Sequence, residues 1–169
     1  MNPVLAAWNK ADERSALDAM LACCSAHRWA QSMVALRPFQ SVETLSLTAD
    51  EVWSTMEEAD WMEAFASHPR IGERKAAPQP TRSVAWSDQE QSGASGAAND
   101  VLAQLAAANA AYEQRFGFTY IVCATGKSAD EMLGILERRL ANDRAAELRD
   151  AAEQQRQITQ IRLRKWLME

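Results

Sequence analysis

One short segment limits the folds that are open to this chain. Residues 116–126 read FGFTYIVCATG, and the stretch from Phe118 to Cys123 has the composition of a β-strand. No other part of the sequence offers a strand that could pair with it, and strands without a sheet are not stable in water. The segment therefore predicts an extended or buried connection between helices, not part of a sheet.

Apolar residues elsewhere recur at helical spacing. Leu17, Met20, Leu21 and Cys24 form one such stripe, with the i, i+3, i+4, i+7 spacing of an amphipathic helix. Only 6 of the 169 residues are glycine. The length suits one domain with its own core. We therefore expect an all-α fold, in which residues 1–169 form a single compact bundle of about seven or eight helices.

Several helix starts can be predicted from capping residues. Asn2-Pro3 is typical of an N-cap followed by proline in the first helical position. Capping-box spacing, in which a glutamate follows three residues after a serine or threonine, occurs at 48–51, 87–90 and 128–131. Asn142 can cap a final long helix. From these signals we predict helices starting near each of these residues.

The region around Ser87 is expected to be a boundary between a loop and a helix. Residues 72–86 contain Gly72, Pro78 and Pro80 among polar residues, so they form the longest loop candidate. Loops of this size in compact domains are often functional. From Ser87 onward, a helix is predicted to run toward Arg115.

Charge and cysteine usage narrow the classes of partner and compartment. The net charge of −5 argues against a nucleic-acid partner, because such proteins need a basic face against phosphate. The three cysteines, Cys23, Cys24 and Cys123, are expected to be reduced thiols in a reducing compartment.

No signal peptide is apparent, and no apolar run approaches the roughly 20 residues of a membrane span. We expect a cytoplasmic protein without a membrane partner.

The common motifs of metal and nucleotide sites do not occur in the sequence. The sequence lacks all of the following motifs: His-Glu-x-x-His, Cys-x-x-Cys, the EF-hand loop, Gly-x-Gly-x-x-Gly, the P-loop and Gly-x-Ser-x-Gly. His27 and His68 are the only histidines, so a histidine-rich metal site cannot be built. An enzyme with this sequence is expected to use acid–base and electrostatic catalysis without a metal or cofactor.

His68 is the strongest candidate for an acid or base. It lies in the stretch FASHPRIGERK, residues 65–75, after a predicted short helix from Asp60 to Ala66. The unperturbed pKa of imidazole is the nearest of all side chains to neutrality, and Pro69 restricts the backbone of the histidine. The alternative is a histidine that only caps the end of the helix.

Three further residues have both a functional and a structural interpretation. Glu90 would lie at the start of a helix, a region that attracts anionic ligands, or would only complete the capping box of Ser87. Gln91 could bind a small polar ligand or be solvated. Arg162, among apolar neighbours in ITQIRLRKWL, either extends to water or holds a carboxylate in a cleft.

Together these strings resemble one family, the decarboxylases of 2-oxo-4-hydroxy-4-carboxy-5-ureidoimidazoline (OHCU), an intermediate of urate breakdown. The strings are HPRIG (68–72), SDQEQSG (87–93), NAAYEQRFGFTYIVCATG (109–126) and ITQIRL (158–163), together with WAQSMVALRPF (29–39). They occur in order over nearly the whole chain. Four such strings at compatible spacings are specific, although each alone is weak.

The resemblance implies a compact all-α fold, a homodimer, no metal or cofactor, and the decarboxylation of OHCU to (S)-allantoin. His68 falls on the catalytic histidine of the family, and Glu90 is the second residue of the expected acid–base pair. The resemblance also implies a set of substrate-binding residues, namely Pro69, Ser87, Asp88, Gln89, Gln91, Tyr120, Ile121, Val122, Cys123, Ala124 and Arg162.

The chain departs from the common family pattern in two places. It has Arg70-Ile71 where many members have Asp-Leu, and Thr119-Tyr120 where many have Pro-Phe. Neither change touches the expected acid–base pair, and the sequence offers no role for Arg70-Ile71. The alternatives to the decarboxylase are a helical binding module without catalytic activity and a decarboxylase of a related ureido heterocycle.

Overall fold

The computed structural model describes residues 1–73, 81–94 and 96–169. These ranges hold nine α-helices, a 3-10 turn at Ser92–Ala94 and no β-strand, which confirms the predicted all-α class. None of these helices is long and apolar enough to cross a membrane. The helices are α1 (Pro3–Lys10), α2 (Glu13–Cys23), α3 (His27–Ala35), α4 (Val42–Ser54), α5 (Glu58–Ala66), α6 (Thr81–Glu90), α7 (Asn99–Phe116), α8 (Ala129–Arg139) and α9 (Arg144–Trp166).

Contacts between residues group the chain into two compact units. The first unit contains residues 1–64 and 156–169, and the second contains residues 65–155. The single domain over residues 1–169 stays a prediction. With the exception of Arg162, every predicted site residue belongs to the second unit.

Tryptophan side chains organise the core of the first unit. The indole N–H of Trp8 donates to the carbonyl of Ala16 at 3.0 Å, and that of Trp29 donates to the carbonyl of Ala49 at 3.1 Å. The Trp8 ring also stacks on Phe39 and meets Trp166 edge-on, with centroids 6.0 and 5.7 Å apart. Because both indole N–H groups are bonded, these large side chains are buried without an unsatisfied donor.

Two predicted helix starts are confirmed, and a third is shifted by one residue. The side chain of Asn2 accepts from the N–H of Leu5 at 3.1 Å, and that of Ser128 accepts from the N–H of Glu131 at 3.1 Å. At the start of α9 the side-chain acceptor for the N–H of Ala146 is Asp143, not Asn142. The amide of Asn142 instead donates to carboxylates of α9.

The other two capping-box predictions are wrong. Thr48 lies inside α4, which begins at Val42 because Ser41 caps it by accepting from the N–H of Thr44 at 3.1 Å. Ser87 lies inside α6, which already starts at Thr81. The box spacing matches i, i+3 pairs inside helices as well as caps. The predicted loop 72–86 is therefore helical from residue 81, while residues 74–80 lie outside the described residues.

The segment from 117 to 128 connects α7 to α8 without regular structure, as predicted. Gly117 ends α7 in the left-handed conformation, with φ of 82°, and its N–H bonds to the carbonyl of Glu113. In the extended chain that follows, Phe118 and Tyr120 lie on the same side, and both rings contact Tyr112. The burial of these alternate aromatic side chains therefore anchors the connection in the core.

A buried carboxylate joins α7, α8 and α9. Glu147 has 0% exposure, and its carboxylate accepts hydrogen bonds from Tyr112 and Arg139 and, at 3.0 Å, from Asn142. Arg139 also pairs with it as a cation. A second arm of the same guanidinium donates to the carbonyl of Ile121 at 2.6 Å. The network therefore fixes the connection as well as the helices.

We predict that Arg139→Met reduces the free energy of unfolding by about 3–5 kcal/mol, because it leaves the Glu147 carboxylate buried without its cation. Arg138→Met is the matched control: Arg138 is exposed, so its loss should change stability by less than about 0.5 kcal/mol. Urea unfolding followed by circular dichroism measures both. Equal stabilities of the two variants would contradict the role of the network.

Candidate active site

His68 lies in the turn that follows α5. Its backbone N–H donates to the carbonyl of Phe65 at 3.1 Å, which closes the end of the helix. The half-buried imidazole reaches α9, where its Nε2 is 2.6 Å from Oε1 of Gln155. A histidine that served only to cap α5 would not need this contact between distant elements. The arrangement holds the ring in one orientation, as acid–base chemistry requires.

The structure explains Arg70 and Ile71, for which the sequence offered no role. The guanidinium of Arg70 forms a two-pronged pair with the Glu113 carboxylate, at 2.7 Å through Nε and 2.9 Å through Nη2. The Ile71 side chain is buried, and its carbonyl accepts from the side-chain amide of Asn109 at 3.4 Å. Both residues therefore anchor the turn after His68 to α7.

The same turn is joined to the end of α6. Gly72 has a φ of 89°, a conformation in which glycine avoids the strain of a Cβ atom. Its N–H donates to Oε1 of Gln91 at 3.0 Å. Gln91 is therefore not a solvated helix residue: its side chain connects the strings 68–72 and 87–91.

Glu90 lies at the last residue of α6, not at the start of a helix as predicted. The predicted attraction of anions by a helix N-terminus is therefore wrong for Glu90, because the C-terminal end of a helix carries negative partial charge. Glu90 is nevertheless only 8% exposed. Of its neighbours in the predicted binding run, Ser87 is half-buried, while Asp88 and Gln89 are exposed.

The predicted binding segment 120–124 is buried throughout. The Tyr120 hydroxyl donates to the carbonyl of Met132 at 3.0 Å, so this side chain belongs to the core. The N–H of Cys123 donates to Oε1 of Gln154 at 2.8 Å, and its carbonyl accepts from Nζ of Lys127 at 2.7 Å. A substrate oxygen that used the Cys123 N–H would have to replace Gln154.

Electrostatics link Glu90 to this segment. Burial raises the pKa of the Cys123 thiol, the positive charge of Lys127 opposes that shift, and the negative charge of Glu90 adds to it. The thiol is therefore protonated at neutral pH and is not a nucleophile. The negative charge of Glu90 is therefore felt at Cys123 of the segment 120–124.

Sequence reasoning missed the two adjacent glutamines of α9. Gln155 contacts His68 and Gln154 contacts Cys123, so one turn of helix holds two parts of the candidate site. Gln155 falls on the buried stripe of α9 that contains Leu148, Ala151 and Ile158. A glutamine at a position where the helical period requires an apolar residue was the signal that could have revealed it.

Arg162 belongs to the first unit and is 3% exposed. The interpretation in which its side chain extends to water is therefore wrong. Its charge acts on Cys24, although burial dominates there and raises the pKa of that thiol to about 11. The place of Arg162 in the substrate site stays a prediction.

All three cysteines are free and buried. Within the described parts of the chain, no group of three or more His, Cys, Asp or Glu side chains is placed to hold a metal ion. The polar groups identified above are an imidazole, carboxylates, amides and backbone N–H groups. This set can move protons and orient a polar heterocycle.

Comparison with protein families gives a match over almost the entire chain. A family model described as OHCU decarboxylase matches residues 9–164. The chain belongs to the OHCU decarboxylase family. The matched range contains His68, the strings 87–91 and 120–124, and Arg162, which were the basis of the resemblance.

Individual OHCU decarboxylase relatives agree with this assignment. The Arabidopsis thaliana protein named uric acid degradation bifunctional protein TTL is 35% identical over 145 residues, which are 85% of this chain and 44% of that protein. The chain thus spans less than half of that relative. A decarboxylase named for OHCU from Amia calva is 28% identical over 127 residues, with 75% of this chain and 73% of that protein covered.

A solved structure extends the similarity to three dimensions. The crystal structure titled OHCU decarboxylase in the presence of (S)-allantoin superposes with a TM-score of 0.77 at 32% sequence identity. The superposition covers 90% of this chain and 99% of that one. The fold of this member is therefore shared with a relative that was crystallised with (S)-allantoin.

We predict that Gly93→Ala disturbs the site, because a Cβ there would be 2.1 Å from the backbone oxygen of Lys127. The connection after residue 124 must then move, at a cost of about 1–3 kcal/mol in the free energy of unfolding. Gly96→Ala is the matched control, since no atom lies within 4 Å of its Cβ position. Thermal unfolding of both variants measures the difference, and a stable Gly93→Ala protein would contradict this packing.

Proposed function

We propose that this protein decarboxylates OHCU to (S)-allantoin, with His68 as the acid–base residue. One observation carries the proposal: in a member of this family, the His68 imidazole is held by a buried glutamine next to the one that binds segment 120–124. The relative crystallised with (S)-allantoin supports the identity of the product. The relatives named for uric acid degradation support the pathway.

The substrate contains its own electron sink. In OHCU the carbon that loses CO2 also bears a hydroxyl group, and its ring neighbour is an imine carbon. When the bond to the carboxylate breaks, its electron pair moves into the ring C–C bond, and the imine pair moves to the ring nitrogen, which takes a proton. The hydroxyl proton then leaves as the carbonyl forms, and the former imine carbon receives a proton. The products CO2 and allantoin contain all atoms of the substrate. When OHCU starts as the carboxylate, the overall reaction takes up one proton.

The residues of the second unit suit the proton transfers. His68 accepts the hydroxyl proton at near-neutral pH, where an imidazole is efficient both as base and as acid. In this proposal Gln155 orients the ring, and Glu90 binds the ureido N–H groups beside segment 120–124. In this proposal backbone N–H groups of 120–124 hold carbonyl or carboxylate oxygens of the substrate.

The proposal includes the assembly and the compartment of the enzyme. A homodimer in the cytosol is what the family resemblance and the three free cysteines support. Sedimentation equilibrium of the purified chain tests the first part, with a mass of twice 18.8 kDa expected.

We predict that His68→Asn lowers kcat by about 10²- to 10⁴-fold, because the general acid–base group is lost. Urate oxidase and hydroxyisourate hydrolase supply fresh OHCU, and circular dichroism follows the formation of chiral allantoin. The matched control is His27→Asn, because His27 is exposed and lies in the first unit. It should keep the wild-type rate.

Two results would contradict this proposal. If OHCU decays no faster with the wild-type protein than in buffer and gives racemic allantoin, the chain does not catalyse the reaction. If the wild type is active and His68→Asn is equally active with an unchanged helical signal, the assignment of His68 is wrong.

A further inference from the structure

We propose that Gln155 is a positioning residue that locks His68 in the tautomer with its proton on Nε2, so that Nδ1 accepts the proton from the substrate. The inference rests on the proposed function for the meaning of that proton transfer. Gln155 does not touch the reacting atoms and acts only through the imidazole of His68.

The contact between His68 and Gln155 fixes the direction of the hydrogen bond. Nε2 of His68 lies 2.6 Å from Oε1 of Gln155. An amide oxygen can accept a hydrogen bond but cannot donate one, so Nε2 must carry a proton. In a neutral imidazole the other nitrogen, Nδ1, is then the basic atom.

Burial restrains the side chain of Gln155. Gln155 is only 1% exposed, and it lies on the buried stripe of α9, which limits the room its side chain has to turn. A buried amide that loses its partner is costly. The amide therefore favours a histidine that donates from Nε2, and the two side chains restrain each other.

Residue 155 is a neutral glutamine and not a glutamate. A carboxylate at this position would stabilise the imidazolium and raise the pKa of His68. A neutral amide fixes the tautomer without adding a charge. The removal of a hydroxyl proton requires a neutral imidazole as the base, and the amide adds no negative charge that would favour the imidazolium.

The neighbouring Gln154 provides a matched control. It is the same residue type in the same turn of α9, but its Oε1 accepts from the N–H of Cys123. Methionine has a side-chain volume similar to that of glutamine, so replacement of either glutamine by methionine removes one amide from the same helix with little change in volume. Only the change at Gln155 should alter the histidine ring.

The direct test is the tautomer of His68 by ¹⁵N NMR. The chain has two histidines, so His27→Asn leaves His68 as the only imidazole in the spectrum. In this background, above the pKa of the ring, we expect the nitrogen shifts of the Nε2–H tautomer. Gln154→Met should retain them, and Gln155→Met should give the mixture typical of a free imidazole. An Nδ1–H tautomer in the parent protein, or an unchanged tautomer in Gln155→Met, would overturn the proposal.

Kinetics provide a second readout. Gln155→Met should lower kcat by roughly 10- to 100-fold with little change in KM, a smaller loss than that of the imidazole itself. Gln155→Glu should restore most of kcat but move the acidic limb of the pH profile to higher pH. The carboxylate raises the pKa of His68, so the neutral imidazole forms only at higher pH. Full activity of Gln155→Met, or an unshifted profile in Gln155→Glu, would contradict the positioning role.

The two proposals can fail separately. A locked Nε2–H tautomer in a protein that does not accelerate OHCU decay would refute the function but not the role of Gln155 in setting the ring. An active enzyme whose His68 tautomer does not respond to Gln155→Met would refute the positioning role alone. Far-UV circular dichroism confirms that each variant is folded, and the tautomer of the parent protein tests the proposal even if one variant does not fold.

Discussion

Glu147 is a carboxylate without exposed surface, and folding must replace every interaction that water would give it. Arg139 and Tyr112 provide the replacement together with Asn142. The cost of a buried charge that loses its partner makes this arrangement hard to deform. Because Arg139 also holds the carbonyl of Ile121, the position of the connection between α7 and α8 depends on this one carboxylate.

The candidate site is built on that fixed connection. Its Cys123 N–H meets Gln154, and the next residue of α9, Gln155, meets the ring of His68. On the other side, Arg70 and Gln91 tie the turn after His68 to α7 and α6. Rigid elements therefore surround the histidine, and an acid–base group gains from such preorganisation.

Features that depend on residues close together in the sequence could be predicted from the sequence alone. Ser128 caps α8, and the strand-like composition of 118–123 without a partner strand marks the irregular connection, since both signals are local. The box at Ser87 failed because its spacing also fits the interior of a helix. The contacts of His68 with Gln155 and of Arg70 with Glu113 join residues 87 and 43 positions apart. The helical period could mark Gln155 as unusual, but no local pattern pairs it with His68 or Arg70 with Glu113, so these pairings needed the structure.

A crystal structure of this protein with (S)-allantoin tests the central claim most directly, namely that His68, held by Gln155, and segment 120–124 form one site. The account predicts that the product contacts the His68 imidazole and the segment 120–124, while Nε2 of the ring stays hydrogen-bonded to Gln155. Product bound away from His68, or an imidazole turned away from Gln155 when product is present, would contradict it.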